Sequence, residues 1–177
     1  ILQFWSLLFF FISVDLVFEF FLGNNIFGIG NNFPGRLSSI LGSELKIGHY
    51  YYGFCLFSLS LIILMFKKKF LISVFAILIF TAISLIIGER ANFIKFLFSV
   101  ILFLFFWEHF KFKIKISILL IITLSIFSVI NFNKDLSNRF NTQFTTYLFE
   151  NGIERYYYDS QYGAHYTTAL KIFKNYP

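Results

Sequence analysis

Arginine is the residue type in this sequence whose distribution points most directly to chemistry. A planar guanidinium binds a phosphate or a carboxylate at two points at once, which a lysine ammonium does not. Arg90 follows Glu89 in "LIIGERANFIKF", and Arg155 follows Glu154, so pairing with an acidic neighbour is the alternative to ligand binding. The full set is Arg36, Arg90, Arg139 and Arg155. These residues predict an anion-binding site.

Histidine is the second residue type with an obvious chemical use, because imidazole takes up and releases a proton near neutral pH. His165 lies in the tyrosine-rich run "YGAHYTT", where a lone histidine is more often a surface or hydrogen-bonding residue than a catalyst. His49, His109 and His165 are not spaced like the ligands of zinc or haem. The Gly/Asn stretch at 23–35 lacks the strand and the Lys-Ser/Thr pair of a nucleotide-binding loop. We therefore expect no metal and no nucleotide cofactor.

Long apolar blocks are the elements that must position these side chains. The chain is 58% hydrophobic and 14% charged, whereas soluble domains carry about 25% charged residues. A block of about 18–20 uncharged apolar residues is the length that crosses a hydrocarbon core of roughly 30 Å. We predict an all-α, polytopic transmembrane helical bundle over 1–130, with a large, partly helical loop at 131–177. The predicted spans are 1–14, 49–66, 70–87, 91–107 and 116–130, with a polar loop at 15–48.

The lysines predict the orientation of this bundle in the membrane. Six of them occupy the two short loops at 67–69 and 108–115, and the positive-inside rule places such loops in the cytoplasm. The loop at 15–48, the turn at 88–90 and the segment 131–177 then face outward, with all four arginines. The net charge of +6 is explained by this topology, so we expect a lipid bilayer and not a nucleic acid as partner.

Several other charged or titratable residues near the predicted membrane boundary have more than one possible role. Asp15 and Glu19 are four residues apart on one helical face, where they either bound an interfacial helix or line a cavity for a substrate. His49 begins the second span and is expected at the interface. Lys95, one turn into the fourth span, either extends to the same interface or faces a polar cavity.

Because the chain begins without Met and ends at "FKNYP", we expect a fragment truncated at both ends, including the loop 131–177.

The order of three segments, "PGRLSSILGSELKIGHYY", "GERANF" and "YGAHYTTALKIFKNYP", resembles the O-antigen ligase and O-antigen polymerase family of bacterial envelope proteins. The likeness covers most of the chain, although each motif alone is short. It implies an enzyme of the bacterial inner membrane with its active site on the periplasmic side. Such an enzyme moves a glycan from an undecaprenyl-pyrophosphate carrier onto a lipid A core, as a ligase, or onto another glycan, as a polymerase. It implies no metal or cofactor.

The resemblance also implies roles for particular residues. Arg36 and Arg90 would bind the diphosphate, with Arg155 or Arg139 as a further contact, and His165 would be the catalytic base beside the reacting groups. The chemistry is consistent, because negative charge grows on the leaving diphosphate and fixed cations stabilise it in the transition state. Three acidic residues are alternative bases: Glu44, Glu154 and Asp159.

Two other functions compete with glycan transfer. A transporter or flippase of a lipid-linked or anionic substrate would need ionisable residues or Gly/Pro breaks at mid-membrane in paired spans. The second to fifth spans offer only Lys95, which counts against transport. A non-catalytic scaffold would have no reason to concentrate arginine on one side. The features do not separate a ligase from a polymerase.

Overall fold

The described part of the protein is helical. The computed structural model describes residues 2–30, 33–44, 46–66, 70–107, 110–142 and 161–175. Within these residues the only β-type pairing is one antiparallel bridge, between Asn24 and Gly30. The all-α prediction is therefore confirmed for this part of the chain. The chain divides into two compact units, Ile1–Leu136 and Ser137–Pro177.

Five long helices make up the first unit. Their bounds are α1 Leu2–Leu22, α2 Ile47–Met65, α3 Phe70–Ile86, α4 Arg90–Phe106 and α5 Phe112–Phe132, with a 3-10 helix at Ser39–Glu44 and a short α6 at Lys134–Ser137. Among the described residues, three helices are long and apolar enough to cross a membrane: α1 from Gln3, α2 and α5. Helix α3 is apolar but shorter. These lengths and compositions support the predicted class of membrane protein.

Two helices extend further than the apolar blocks predicted. The first span was expected to end at residue 14, but α1 continues to Leu22 and includes Asp15 and Glu19. Helix α5 begins at Phe112, so Lys115 lies in the helix and not in the preceding loop, and its Nζ donates to the Phe105 carbonyl oxygen at 2.8 Å. In both places the charged side chains find polar partners, so they do not end the helix.

One aromatic ring from each of four helices forms the centre of the first unit. Phe9 of α1 lies with its ring centroid 4.8 Å from Tyr51 of α2 and 5.1 Å from Phe80 of α3. Phe96 of α4 completes the group, 6.5 Å from Tyr51. All four rings are buried. Rings at such distances attract one another beyond their simple burial, so this cluster holds α1 to α4 together.

Small hydroxyl residues are buried within the helical bundle of the first unit. The Oγ atoms of Ser6 and Ser58 are 3.5 Å apart between α1 and α2, and both residues are buried. The hydroxyl of Thr81 donates to the carbonyl oxygen of Ile77 one turn earlier, at 2.7 Å. Small residues permit close helix packing in a bilayer, and bonding back to the helix leaves no hydroxyl unsatisfied. Large apolar side chains such as Phe105, 72% exposed, cover surfaces suited to lipid.

A glycine turn joins α3 to α4, as the "GER" motif predicted. Gly88 has φ +76°, a conformation that side-chain-bearing residues rarely adopt. The N–H of Leu37 donates to the Ile87 carbonyl oxygen at 3.1 Å, so the α1–α2 loop crosses directly over this turn. A Cβ atom at Gly88 would overlap the carbonyl oxygen of Gly35. Glycine is thus required here both by the turn and by the loop above it.

The second unit covers the C-terminal part of the chain, Ser137–Pro177. It contains a π-helical turn, Asn138–Thr142, and a helix α7, Gln161–Asn175. Most of α7 is exposed, including the apolar side chains of Leu170 and Phe173. This helix begins within the segment that was predicted to be a large, partly helical loop.

Replacing Gly88 by alanine should destabilise the first unit. The positive φ and the overlap with Gly35 together should cost about 2 kcal/mol or more of unfolding free energy. Gly53→Ala is the matched control, because a Cβ at Gly53 on α2 meets nothing within 4 Å. Thermal melting of the detergent-purified variants would measure both changes. Equal melting temperatures would contradict the close packing of loop on turn.

Candidate anion-binding site

A buried carboxylate gathers residues from three separate segments of the first unit. Glu89, 8% exposed, precedes α4, and we call the group formed by Arg36, Gly48, His49, Glu89 and Asn92 the Glu89 cluster. One carboxylate oxygen, Oε1, lies 3.5 Å from Arg36 Nη2 and accepts the Gly48 N–H at 3.1 Å. The other, Oε2, accepts from Asn92 Nδ2 and lies 3.7 Å from His49 Nδ1. The buried charge is thereby paired and hydrogen-bonded, as burial requires.

Local structure explains how these side chains reach Glu89. Asn92 lies three residues after Glu89, so both are on the same side of the first turn of α4. Gly48 lies in the first turn of α2, and a Cβ there would come within 2.5 Å of Glu89 Oε2. Only glycine lets the carboxylate approach the α2 backbone this closely. Arg36 arrives from the α1–α2 loop, immediately after Gly35, which lies over the turn.

Two further buried carboxylates hold the loop that carries Arg36. Glu19 accepts the N–H of Ser38 at 3.0 Å and the N–H of Ser39 at 2.6 Å. Asp15, which is fully buried, accepts the N–H of Ile26 at 2.7 Å and the hydroxyl of Ser39. Ser39 has φ 51°, an uncommon backbone conformation for a non-glycine residue that these bonds stabilise. Neither carboxylate bounds an interfacial helix, which corrects one of the two sequence interpretations.

The structure brings the "PGR" and "GER" motifs together. Arg36 is half-buried, with 26% of its side chain exposed, and contacts Glu89, the immediate neighbour of Arg90. Arg90 is also half-buried and begins α4. Two guanidinium groups therefore belong to a loop and a turn that share one buried carboxylate. Guanidinium groups at the end of a helical bundle are suited to binding an anion.

The other predicted site residues fall in the second unit or outside the described residues. His165 is exposed on α7, and Arg139 is half-buried in the π-helical turn. Arg155 and the alternative bases Glu154 and Asp159 lie outside the described residues. Glu44 ends the 3-10 helix of the α1–α2 loop. Their predicted roles stay predictions.

Sequence reasoning missed most of the Glu89 cluster. The sequence predicted Glu89 only as the acidic neighbour of Arg90 in the turn at 88–90, and His49 only as an interfacial residue. The one available signal was the three-residue spacing of Glu89 and Asn92 at a helix start. Nothing local links them to His49, which is separated from Asn92 by 43 positions.

Comparison with known protein families, curated proteins and solved structures finds no match to this chain. The resemblance to O-antigen ligases and polymerases therefore stays a prediction. Among the described residues, no three His, Cys, Asp or Glu side chains are grouped as metal ligands. The chemistry this part of the chain offers is that of guanidinium, imidazole and amide groups at one end of a bundle.

Replacing Glu19 by alanine should release the loop that carries Arg36. Two backbone N–H groups, of Ser38 and Ser39, would lose their acceptor, at about 1–3 kcal/mol for each buried group left unsatisfied. Hydrogen exchange of residues 36–41 should accelerate, and the melting temperature should fall. Asp135→Ala, at an exposed carboxylate, is the control and should change neither. Unchanged exchange in Glu19→Ala would mean that other contacts hold the loop.

Proposed function

We propose that this protein transfers or polymerises glycan from an undecaprenyl-pyrophosphate carrier at the periplasmic face of the bacterial inner membrane. It would be a metal-independent membrane glycosyltransferase of the O-antigen ligase or polymerase type. The observation that carries the proposal is the contact between Arg36 and Glu89. It joins two motifs of the resemblance that are far apart in the sequence, and both supply a guanidinium group.

The proposed topology has five spans, with α3 and α4 crossing as a hairpin. Each of these helices has 17 residues, which at about 1.5 Å per residue is slightly short of a hydrocarbon core of roughly 30 Å. The turn between them would then lie at the membrane boundary, where charged residues such as Glu89 and Arg90 are tolerated. Lysines at the opposite helix ends, such as Lys111, would face the cytoplasm.

The Glu89 cluster suits the leaving group of this reaction. Transfer breaks the anomeric C–O bond, so negative charge grows on the departing diphosphate, and fixed guanidinium groups stabilise that charge. A carboxylate that holds Arg36 in one orientation keeps the guanidinium from reorganising during the reaction. His165 would accept the proton of the attacking hydroxyl. This role rests on the resemblance alone.

An apolar cleft of about 470 Å³ gives a place for a hydrocarbon chain. It lies among α1, α2 and α3, and Val14 and Val17 of α1 contribute to its wall. Its other lining side chains are largely aliphatic and aromatic, including Ile62, Phe75 and Ile79. A polyprenyl chain could occupy the cleft while its diphosphate stays at the membrane boundary.

Substituting the predicted site residues should abolish surface polysaccharide. The full-length gene would be tested in one strain lacking its ligase and in another lacking its polymerase. We expect Arg36→Ala and Arg90→Ala each to lower the product by roughly 100-fold or more, as loss of one transition-state contact does. His165→Ala should do the same, whereas Lys113→Ala, at an exposed lysine, should not.

Gels of lipopolysaccharide, with membrane protein levels checked, give the readout. Restored capping would identify a ligase, and a restored ladder of chain lengths would identify a polymerase. Activity retained by both arginine variants at normal protein level would contradict the site. Accumulation of carrier-linked glycan on the cytoplasmic side would favour a flippase instead.

Cysteine labelling would test the sidedness of α5. Asn131 and Lys113 are exposed residues near opposite ends of this helix, and the native Cys55 can be replaced by alanine beforehand. We expect a membrane-impermeant maleimide to label Asn131→Cys from the periplasm and Lys113→Cys only after the inner membrane is opened. The reverse pattern would place Arg36 and Arg90 in the cytoplasm and overturn the proposal.

A further inference from the structure

The amide of Asn92 makes two contacts that determine its orientation. Its Nδ2 donates to Glu89 Oε2 and also lies 3.0 Å from His49 Nδ1. An ionised carboxylate only accepts hydrogen bonds, so the amide must point its NH₂ and not its oxygen at Glu89. Asn92 is 4% exposed, and its Oδ1 has no hydrogen-bond donor among the described residues. Turning the amide over would place this oxygen against the carboxylate.

The orientation of Asn92 in turn determines the state of His49. With an NH₂ group in front of it, Nδ1 of His49 must be the acceptor, so in the neutral ring the proton lies on Nε2. A proton on Nδ1 would face the Asn92 NH₂ group. Because 71% of the His49 side chain is exposed, the ring can present its Nε2–H to a ligand.

We propose that His49, as a neutral ring, donates a hydrogen bond to a phosphate oxygen of a lipid-borne ligand, which under the proposed function is the diphosphate of the carrier. Its Nε2–H would bind the same phosphate group that Arg36 binds, since both side chains lie within 4 Å of the Glu89 carboxylate. This role rests on the proposed function. In it Glu89 and Asn92 are positioning residues, and His49 is a binding residue.

The donor role differs in kind from that of a general base. A base must offer a lone pair to the acceptor hydroxyl, but the lone pair of neutral His49 is on Nδ1, which Asn92 occupies. A donor-only ring beside guanidinium groups favours an anionic oxygen over a sugar hydroxyl. Phosphate oxygens also occur in phospholipid headgroups, so the test must separate the two sources.

Binding of farnesyl diphosphate to the full-length protein in phosphatidylcholine nanodiscs tests the proposal. His49→Ala should weaken binding by roughly tenfold or more, as loss of a hydrogen bond to a charged group does. His49→Gln should bind within a few-fold of wild type, because its side-chain amide nitrogen can stand where Nε2 stood. His49→Asn, whose amide replaces Nδ1, should behave like His49→Ala. His109→Ala is the histidine control and should bind normally.

Nitrogen NMR of the histidine-labelled protein gives a readout independent of binding. The His49 signals, identified by their absence in His49→Gln, should show the proton on Nε2 at neutral pH. A proton on Nδ1, or on both nitrogens, would overturn the donor assignment. So would normal binding by His49→Ala while Arg36→Ala binds poorly, which would leave the proposed function standing.

Two further outcomes concern the source of the phosphate. If the wild type does not bind farnesyl diphosphate, the proposed function fails and the role of His49 fails with it. The alternative outcome is that phosphatidylglycerol in the nanodisc displaces the probe, and that His49→Ala weakens phosphatidylglycerol binding as much as it weakens probe binding. In that case His49 binds a phosphate group as proposed. The site would then belong to a phospholipid headgroup, and only the proposed glycan transfer would be overturned.

Discussion

The buried carboxylate of Glu89 is the constraint on which the rest of the candidate site depends. A charge removed from water is tolerated only when it is paired and its oxygens are hydrogen-bonded. The partners of Glu89 come from the α1–α2 loop, from the start of α2 and from α4 itself. Satisfying this one group therefore places three segments relative to one another. Gly48 and Gly88 leave the space that this approach needs.

The same physical solution recurs at the end of α1. Asp15 and Glu19 accept hydrogen bonds from backbone N–H groups of the α1–α2 loop. In its described residues this loop has one β-bridge and one 3-10 helix as its only regular structure. A loop whose backbone N–H groups are buried cannot rely on water to satisfy them. Helical carboxylates take that place, and they do so without needing a cation. This explains why α1 continues through two acidic residues that composition alone would assign to a loop.

Apolar block length predicted the helices of the first unit and the tight turn at Gly88, because both follow from local composition and glycine. Block length did not predict where the helices end, because a charged residue was expected to end a helix. In α1 the carboxylates of Asp15 and Glu19 are instead satisfied by backbone N–H groups of the loop, and the helix continues. The Glu89 cluster could not be predicted either, because its contacts also join residues that are distant in the sequence. Gly48 and Glu89 are separated by 41 positions, and no local pattern states that an arginine, a histidine and an asparagine will meet one carboxylate. The predicted roles of His165 and Arg155 depend on resemblance, to which the described structure adds nothing.

The charges of the Glu89 cluster favour an anion as its ligand. Arg36 and Arg90 bring two positive charges to the loop and turn that share the carboxylate of Glu89, and in the proposed site these guanidinium groups are what attracts an anion. A third cation would strengthen that attraction but would also repel the two guanidinium groups before a ligand arrives. A neutral imidazole avoids this cost and still offers a directed N–H group. In the proposed site the Asn92 amide, oriented by Glu89, leaves the proton of a neutral His49 ring on Nε2, so one buried carboxylate both pairs with Arg36 and orients the donor beside it.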